Sequence, residues 1–387
     1  MKSEMLPRER VEKALAFEEP DRVPTAIWGG PYGIVDELYL KLIKTFNIKE
    51  PVIPFRAGHN ISFMDNRVLE KFGTDLRYVY PTLSPTSPSQ TTNEPNTFLD
   101  AYGQVWKRAY PYYYAGSGIL SEIHKIDQID EIVKWPDPKE PCWFNNLAER
   151  AQELRGSTDY WITARMINSH GPFQMACDLR GTERLLMDLM INEDFAKALL
   201  SHIGDSLCSF LDQYLLACGQ FIDMIELPGD DYAGNENLII SPILFNKYIQ
   251  PIIKRMVGII KTFRPEIKVM LHSDGAIKKL IPDLINCGID VIHPLEPLPA
   301  TDQAAVKSEF GSKIAFLGGI DITHAMTGST DDVKREVFRC VQQLAPGGGF
   351  ILAPSNHLQP DVPPENVIAL FANTQIIGKY PINIQVS

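Results

Sequence analysis

Groups able to bind a proton or a metal recur in this sequence at the ends of short apolar runs. His272-Ser273-Asp274-Gly275 follows Val269 to Leu271, and Glu226-Leu227-Pro228-Gly229-Asp230-Asp231 closes a second run. His293-Pro294, Gly318-Gly319-Ile320-Asp321 and Ser355-Asn356-His357 close three more, while Trp28-Gly29-Gly30-Pro31-Tyr32 and Asn168-Ser169-His170-Gly171-Pro172-Phe173 stand after two others. A buried carboxylate or imidazole costs several kcal/mol unless it is paired or coordinated, so this repeated placement points to chemistry rather than to stability.

His272 and Asp274 flank a single residue and can both project from a tight turn. With Glu226 and His357 they make a mixed nitrogen and oxygen set of the kind that suits Zn2+ or another borderline divalent ion. The competing reading has both side chains bonding only to backbone and shaping the loop, and spacing does not choose between the two. Asp230 and Asp231 also read two ways. They cap neighbouring structure as solvated loop charges, or they divide acid and base roles, with Asp274 as a further catalytic carboxylate. Asn168 and His170, ahead of Gly171-Pro172, either shape that turn or touch substrate, and His293 fixes the turn into Pro294. Gly347-Gly348-Gly349 lacks a following Lys and precedes a strand, so it is a turn and not a phosphate cradle.

Strand-end chemistry requires a scaffold that gathers strand ends in one place. After a helical opening from Arg8 to Ala16, strands are predicted at Val23 to Ile27, Asp75 to Tyr80, Trp161 to Met166, Phe221 to Leu227, Ile267 to Leu271, Val291 to His293, Ile314 to Leu317 and Phe350 to Ala353. Amphipathic helices alternate with the later ones, among them Thr182 to Met190, Phe195 to Ala217, Pro242 to Phe263, Ala276 to Asn286, Ala304 to Phe310 and Asp331 to Leu344. Eight strands alternating with helices, with no G-x-G-x-x-G after any of them, predict an α/β fold of the (β/α)8 TIM-barrel type, whose chemistry sits at the carboxyl ends of the strands. The barrel carries an N-terminal helical extension and an inserted β-hairpin over about 97–118, led in by the Pro- and Ser-rich stretch Pro81 to Pro95. A barrel of this kind accommodates the whole chain, 1–387, as one domain.

Hydrophobic residues at 44% and charged residues at 22% are globular values. The net charge of −11, without a Lys/Arg cluster, argues against nucleic acid or an anionic membrane as partner. Met1 to Glu19 is charged every few residues, so neither a secretory signal nor an anchor is expected, and the expected location is cytoplasmic. Six scattered cysteines without a C-x-x-C pair fit reduced thiols, mostly in the core. A small-molecule ligand is the remaining expectation.

Taken in order, several motifs make the chain resemble the uroporphyrinogen decarboxylase superfamily, and within it the branch of cobalamin-dependent methyltransferases. They are Arg8-Glu9-Arg10-Val11, Pro20-Asp21-Arg22-Val23-Pro24, Gly171-Pro172-Phe173, Leu179-Arg180-Gly181-Thr182-Glu183 and Ile240-Ser241-Pro242 before Pro251. His272-Ser273-Asp274-Gly275, Gly318-Gly319-Ile320-Asp321, Pro354-Ser355-Asn356-His357 and Pro363-Pro364-Glu365-Asn366 complete the series. The superfamily has the (β/α)8 barrel. Its true decarboxylases carry an Arg-rich segment near the first strand that grips the tetrapyrrole carboxylates, where this sequence has Trp28-Gly29-Gly30-Pro31-Tyr32-Gly33, which argues against that substrate. Its thiol-methylating members bind zinc through His-x-Cys and a later Cys. Here Asp274 replaces the first cysteine, and Ser355-Asn356-His357 holds none.

Loss of both cysteines lowers the case for a thiol acceptor, since soft ligation is what stabilises a thiolate. A harder set, Glu226, His272, Asp274 and His357, suits polarisation of an ether or amine leaving group. The resemblance therefore implies a corrinoid-protein-dependent methyltransferase that demethylates a small methylated compound, an aromatic methyl ether in the favoured case. Trp28, Tyr32, Trp106 and Tyr110 could line an apolar pocket for the ring, with Asn168 and His170 as further substrate contacts. The cobalamin would reside on a separate corrinoid carrier protein, because no D-x-H-x-x-G motif is present. Two rivals stand beside this reading, namely a metal-free decarboxylase or lyase using Asp230 or Asp231 with Asp274, and a non-catalytic corrinoid-protein-binding protein. A homodimer is compatible with any of them.

Overall fold

In the computed structural model, seven short runs that are buried along most of their length form one parallel sheet. The described residues are 4–382 except 29, 31, 50–52, 55–59, 83, 85–89, 93, 111 and 169. Gly29, Pro31, Ser169 and much of the 81–95 stretch thus lie outside them. The strands are β1 (Leu76–Val79), β6 (Trp161–Arg165), β7 (Met224–Glu226), β8 (Lys268–His272), β9 (Val291–His293), β10 (Ala315–Ile320) and β11 (Phe350–Pro354), hydrogen-bonded in that order. Helices follow each crossover, as a sheet buried on both faces requires.

The segment around Thr25 completes the ring. Ala26 N donates to the Leu352 carbonyl at 3.0 Å, Leu352 N to Pro24 O at 2.9 Å and, on the other side, Asp75 N to Thr25 O at 2.9 Å. The eighth strand expected at Val23 to Ile27 is therefore present as a single parallel bridge, Thr25 to Leu352, rather than as a regular ladder. Pro24 has no N–H to donate, and the Thr25 N–H goes to the Asp75 carboxylate at 2.9 Å. The fold is the (β/α)8 barrel.

Two apolar layers follow from the period of two along each strand. Leu76, Tyr78, Trp161, Met224, Met270, Val291, Ala315, Leu317, Ile351 and Ala353 fill the inside of the ring. Val79, Ile162, Ile225, Val269, Leu271, Ile292, Phe316 and Leu352 pack outward under the helices. Continuing the inner alternation to the carboxyl ends of the strands places Arg165, Glu226, His272, His293 and Ser355 at the mouth. At the opposite end, Asp75 is fully buried and accepts from Arg10 Nη1 at 2.5 Å and from Arg22 Nη1 and Nη2 at 2.8 and 2.9 Å. Arg10 also bonds Asp21 through Nε at 2.6 Å and Nη2 at 2.7 Å. These ion pairs tie the first helix, Pro7–Leu15, and the Thr25 segment to β1.

Two elements differ from expectation. The inserted hairpin is three strands of a four-stranded antiparallel sheet made of β2 (Gln90–Thr91), β3 (Thr97–Leu99), β4 (Val105–Ala109) and β5 (Tyr112–Ala115). Its first strand is too short and polar to show an alternating pattern. The helix expected over Pro242 to Phe263 contains a π turn at Phe245–Ile249, just before Pro251 removes a backbone donor from the ladder. Among the described residues no helix is long and apolar enough to cross a membrane.

Candidate functional site

The ends of β7 and β8 bring together a compact set of ligand atoms. Asp231, His272 and Asp274 each offer one atom within 4.8 Å of the others. His272 Nε2 stands 3.9 Å from Asp231 Oδ1 and 3.7 Å from Asp274 Oδ2. The loop is held by its own acids, since Asp231 Oδ1 accepts the Asp274 N–H at 2.8 Å and Glu296 Oε2 accepts the Gly275 N–H at 3.0 Å. Asn356 Nδ2 donates to Asp274 Oδ2 at 2.6 Å, while Asp274 Oδ1 is buried without a partner among the described residues.

Burial shapes the charge state of every member. It pushes the His272 imidazole well below its ordinary value, with Arg165, His357 and His170 adding to the effect. Burial also raises the Asp274 carboxyl well above the usual range, reinforced by Asp231 and Glu296 and opposed by Asn356. Asp231 and Glu296 are raised by the same cause. A neutral imidazole beside carboxylates that resist ionisation is a site short of positive charge. One imidazole nitrogen with two carboxylates, and an orphaned carboxylate oxygen among them, fits a three-ligand zinc centre with an open position.

The remaining sequence-predicted residues fall into distinct places. Glu226 is fully buried and forms an ion pair with Arg165 at 3.1 Å, its in-register neighbour on β6, outside the three-residue cluster. His357 also stands outside that cluster, with its ring 5.7 Å from that of Tyr112. Asp230 is fully buried behind the mouth, where its carboxylate accepts from Phe173 N at 3.0 Å, Gln174 N at 2.6 Å and the Tyr232 hydroxyl at 2.8 Å. It thereby caps the start of the helix Pro172–Arg180, and Gly171 leaves room for it, since a Cβ there would lie 2.8 Å from Asp230. Burial pushes its carboxyl up to about 7 against those three donors.

Trp28 stacks on Tyr78 at 4.4 Å, and the Tyr32 ring lies 4.8 Å from His293, both inside the ring of strands. Asn168 Nδ2 donates to the Tyr102 hydroxyl at 2.9 Å, leaving its buried Oδ1 without a partner among the described residues. His170 Nδ1 pairs with Asp178 at 2.5 Å, and its ring sits 5.6 Å from Trp106. The inserted sheet thus reaches across the mouth, meeting His170 through Trp106 on β4 and the last strand's loop through Tyr112 on β5, which accepts from Gln359 Nε2 at 2.7 Å. Tyr110 bonds Glu37 at its exposed edge. Sequence reasoning missed Asn356, Arg165 and Glu296 as partners of the site. Arg165 and Glu296 stand one strand away from the groups they serve and Asn356 three strands away across the mouth, placements that only the sheet order and its closure reveal.

A family model described as uroporphyrinogen decarboxylase (URO-D) matches residues 133–375, more than half of the chain. The chain belongs to this family. A uroporphyrinogen decarboxylase 2 (chloroplastic) of Oryza sativa subsp. japonica is 29% identical over 133 residues, 34% of this chain and 32% of that protein. A uroporphyrinogen decarboxylase of Prochlorococcus marinus is 24% identical over 192 residues, 49% of this chain and 50% of that protein. These matches span half or less of the length of the curated relatives. A methyltransferase from Methanosarcina mazei has the same fold as this family member, with a TM-score of 0.65 at 18% identity over 96% of this chain and 99% of that one.

Proposed function

We propose that the chain is a corrinoid-dependent methyltransferase, taking a methyl group from a small methylated donor and delivering it to the Co(I) of a separate corrinoid protein. The observation that carries this reading is the cluster of His272 Nε2 with the Asp231 and Asp274 carboxylates at the mouth of a uroporphyrinogen decarboxylase-type barrel. Zinc, held by these three residues, would supply a Lewis acid for the oxygen or nitrogen leaving group. His272 brings a neutral nitrogen, the two carboxylates bring charge, and Asn356 orients Asp274. No cysteine belongs to the cluster, and a hard donor set matches an ether or amine better than a thiol. Trp106 and Tyr112, on the sheet spanning the mouth, offer aromatic faces to a flat donor, which favours an aromatic methyl ether.

Metal content by elemental analysis, compared between wild type and His272→Ala, tests the reading together with methyl transfer to a reduced corrinoid protein followed by its absorbance. About one zinc per chain that disappears in the variant, with transfer dependent on a methyl ether, is the expected result. No bound metal after incubation with zinc would remove the reading. A metal-free decarboxylase using Asp231 and Asp274 would then take its place, a reading favoured by the names of the curated relatives.

A further inference from the structure

Two histidines at the ends of adjacent strands form a proton-ordering chain behind the candidate metal ligands. β8 and β9 pair with His272 opposite His293, which sets their Nδ1 atoms 2.8 Å apart. At that distance one nitrogen must carry the hydrogen and the other a lone pair. His293 Nε2 lies 3.2 Å from the Pro354 carbonyl at the end of β11, and a carbonyl oxygen only accepts. The hydrogen of His293 is therefore on Nε2. His293 is fully buried against Tyr32, and among the described residues no carboxylate bonds to it, so a second proton would make an uncompensated buried cation. Its Nδ1 is then a lone pair, His272 Nδ1 is the donor, and His272 Nε2 is left with a lone pair facing Asp231 and Asp274.

We infer that His293 is a positioning residue that, with the Pro354 carbonyl, locks His272 in the Nδ1–H tautomer and so keeps Nε2 ready for a metal ion. The inference rests on the metal-centre reading of Asp231, His272 and Asp274. The alternative tautomer has a physical cause, because two carboxylates near Nε2 attract a hydrogen to it. An Nε2–H bonded to either carboxylate would occupy the very atom a metal needs. The bond to His293 opposes that loss, as outer partners of metal-bound histidines generally do.

Imidazole 15N NMR of metal-free, histidine-labelled protein at neutral pH reads the tautomers directly, with signals assigned by their loss in His272→Gln and His293→Asn. The expected wild-type result is a hydrogen on Nδ1 of His272 and on Nε2 of His293. In His293→Phe, which fills the space without an acceptor, His272 moves its hydrogen to Nε2, and zinc affinity against a chromophoric chelator falls about 10- to 100-fold. His293→Asn, with an amide oxygen near the lost Nδ1, restores part of both. A wild-type His272 with hydrogen on Nε2, or a Phe variant unchanged in tautomer and zinc affinity, overturns the inference. Should the Phe variant fail to fold, the wild-type spectrum and the Asn variant decide. A wild type with the expected tautomers that binds no zinc would sink the metal-centre reading and leave the tautomer assignment standing.

Discussion

Replacing Asp230 with Asn separates a structural carboxylate from a reacting one. Its oxygens accept two backbone amides at the start of the helix Pro172–Arg180 and the Tyr232 hydroxyl, all inside the protein. An Asn amide keeps one acceptor and turns an NH2 toward a buried donor. Loss of a cap accounts for about 1–2 kcal/mol, and the donor left unsatisfied for about 1–3 kcal/mol. The relief of a carboxylate that burial pushes up to about 7 offsets part of this, so the net loss is about 2–4 kcal/mol. With an unfolding entropy of about 2.1 cal/mol/K per residue over 387 residues, the melting temperature should fall by about 2–5 °C. Calorimetry gives that number, and elemental analysis of the same sample should show zinc content equal to wild type. An unchanged melting temperature combined with abolished methyl transfer would refute the cap and give the side chain a part in the chemistry.

Gly171→Ala should lose stability of the same order, because its methyl would meet Asp230 at 2.8 Å; a melting curve like wild type would show that the loop yields freely. Asp75→Asn leaves the buried Arg22 guanidinium without its carboxylate while Arg10 keeps Asp21, so a loss near 3 kcal/mol is expected in urea denaturation. No change in the urea midpoint would mean that the cluster does not hold the barrel closed. Burial lowers the Lys307 ammonium to about 8. With an unfolded value of about 10.4, the folded chain binds fewer protons between these values, so this group makes stability rise with pH across that window. Lys307→Met should therefore stabilise the protein at pH 7 by about 1 kcal/mol, after screening and the lost bond to the Gly348 carbonyl, with the gain fading by about pH 10. A gain that grows with pH would contradict this.

The barrel is legible in the sequence because short apolar runs alternate with amphipathic helices from Trp161 onward, and those runs are the observed strands to within a few residues. His272 is legible too, since it continues the inward parity of Met270. Which of Asp230 and Asp231 faces the mouth is not, because adjacent loop residues point apart and the helix that claims Asp230 lies 56 positions upstream, at Gln174. The grouping of Glu226 and His357 with His272 could not be judged from spacing either, as the Arg165 that pairs with Glu226 sits on the neighbouring strand. His293 reads in sequence as a turn residue before Pro294, and its second neighbour emerges only from the pairing of β8 with β9.

The four-stranded insert lies between β1 and β6, upstream of residue 133, where the family match begins. The cluster of Asp231, His272 and Asp274 lies wholly within that match. Under the proposed reading, the wall that would meet a substrate and the atoms that would act on it are thus encoded in separate stretches of chain, joined across the mouth by the Trp106–His170 and Tyr112–His357 ring contacts and the Gln359–Tyr112 bond. On that reading, a change of donor would require only this one sheet to be redrawn, residue by residue or whole, while the strand ends that carry the cluster keep their register.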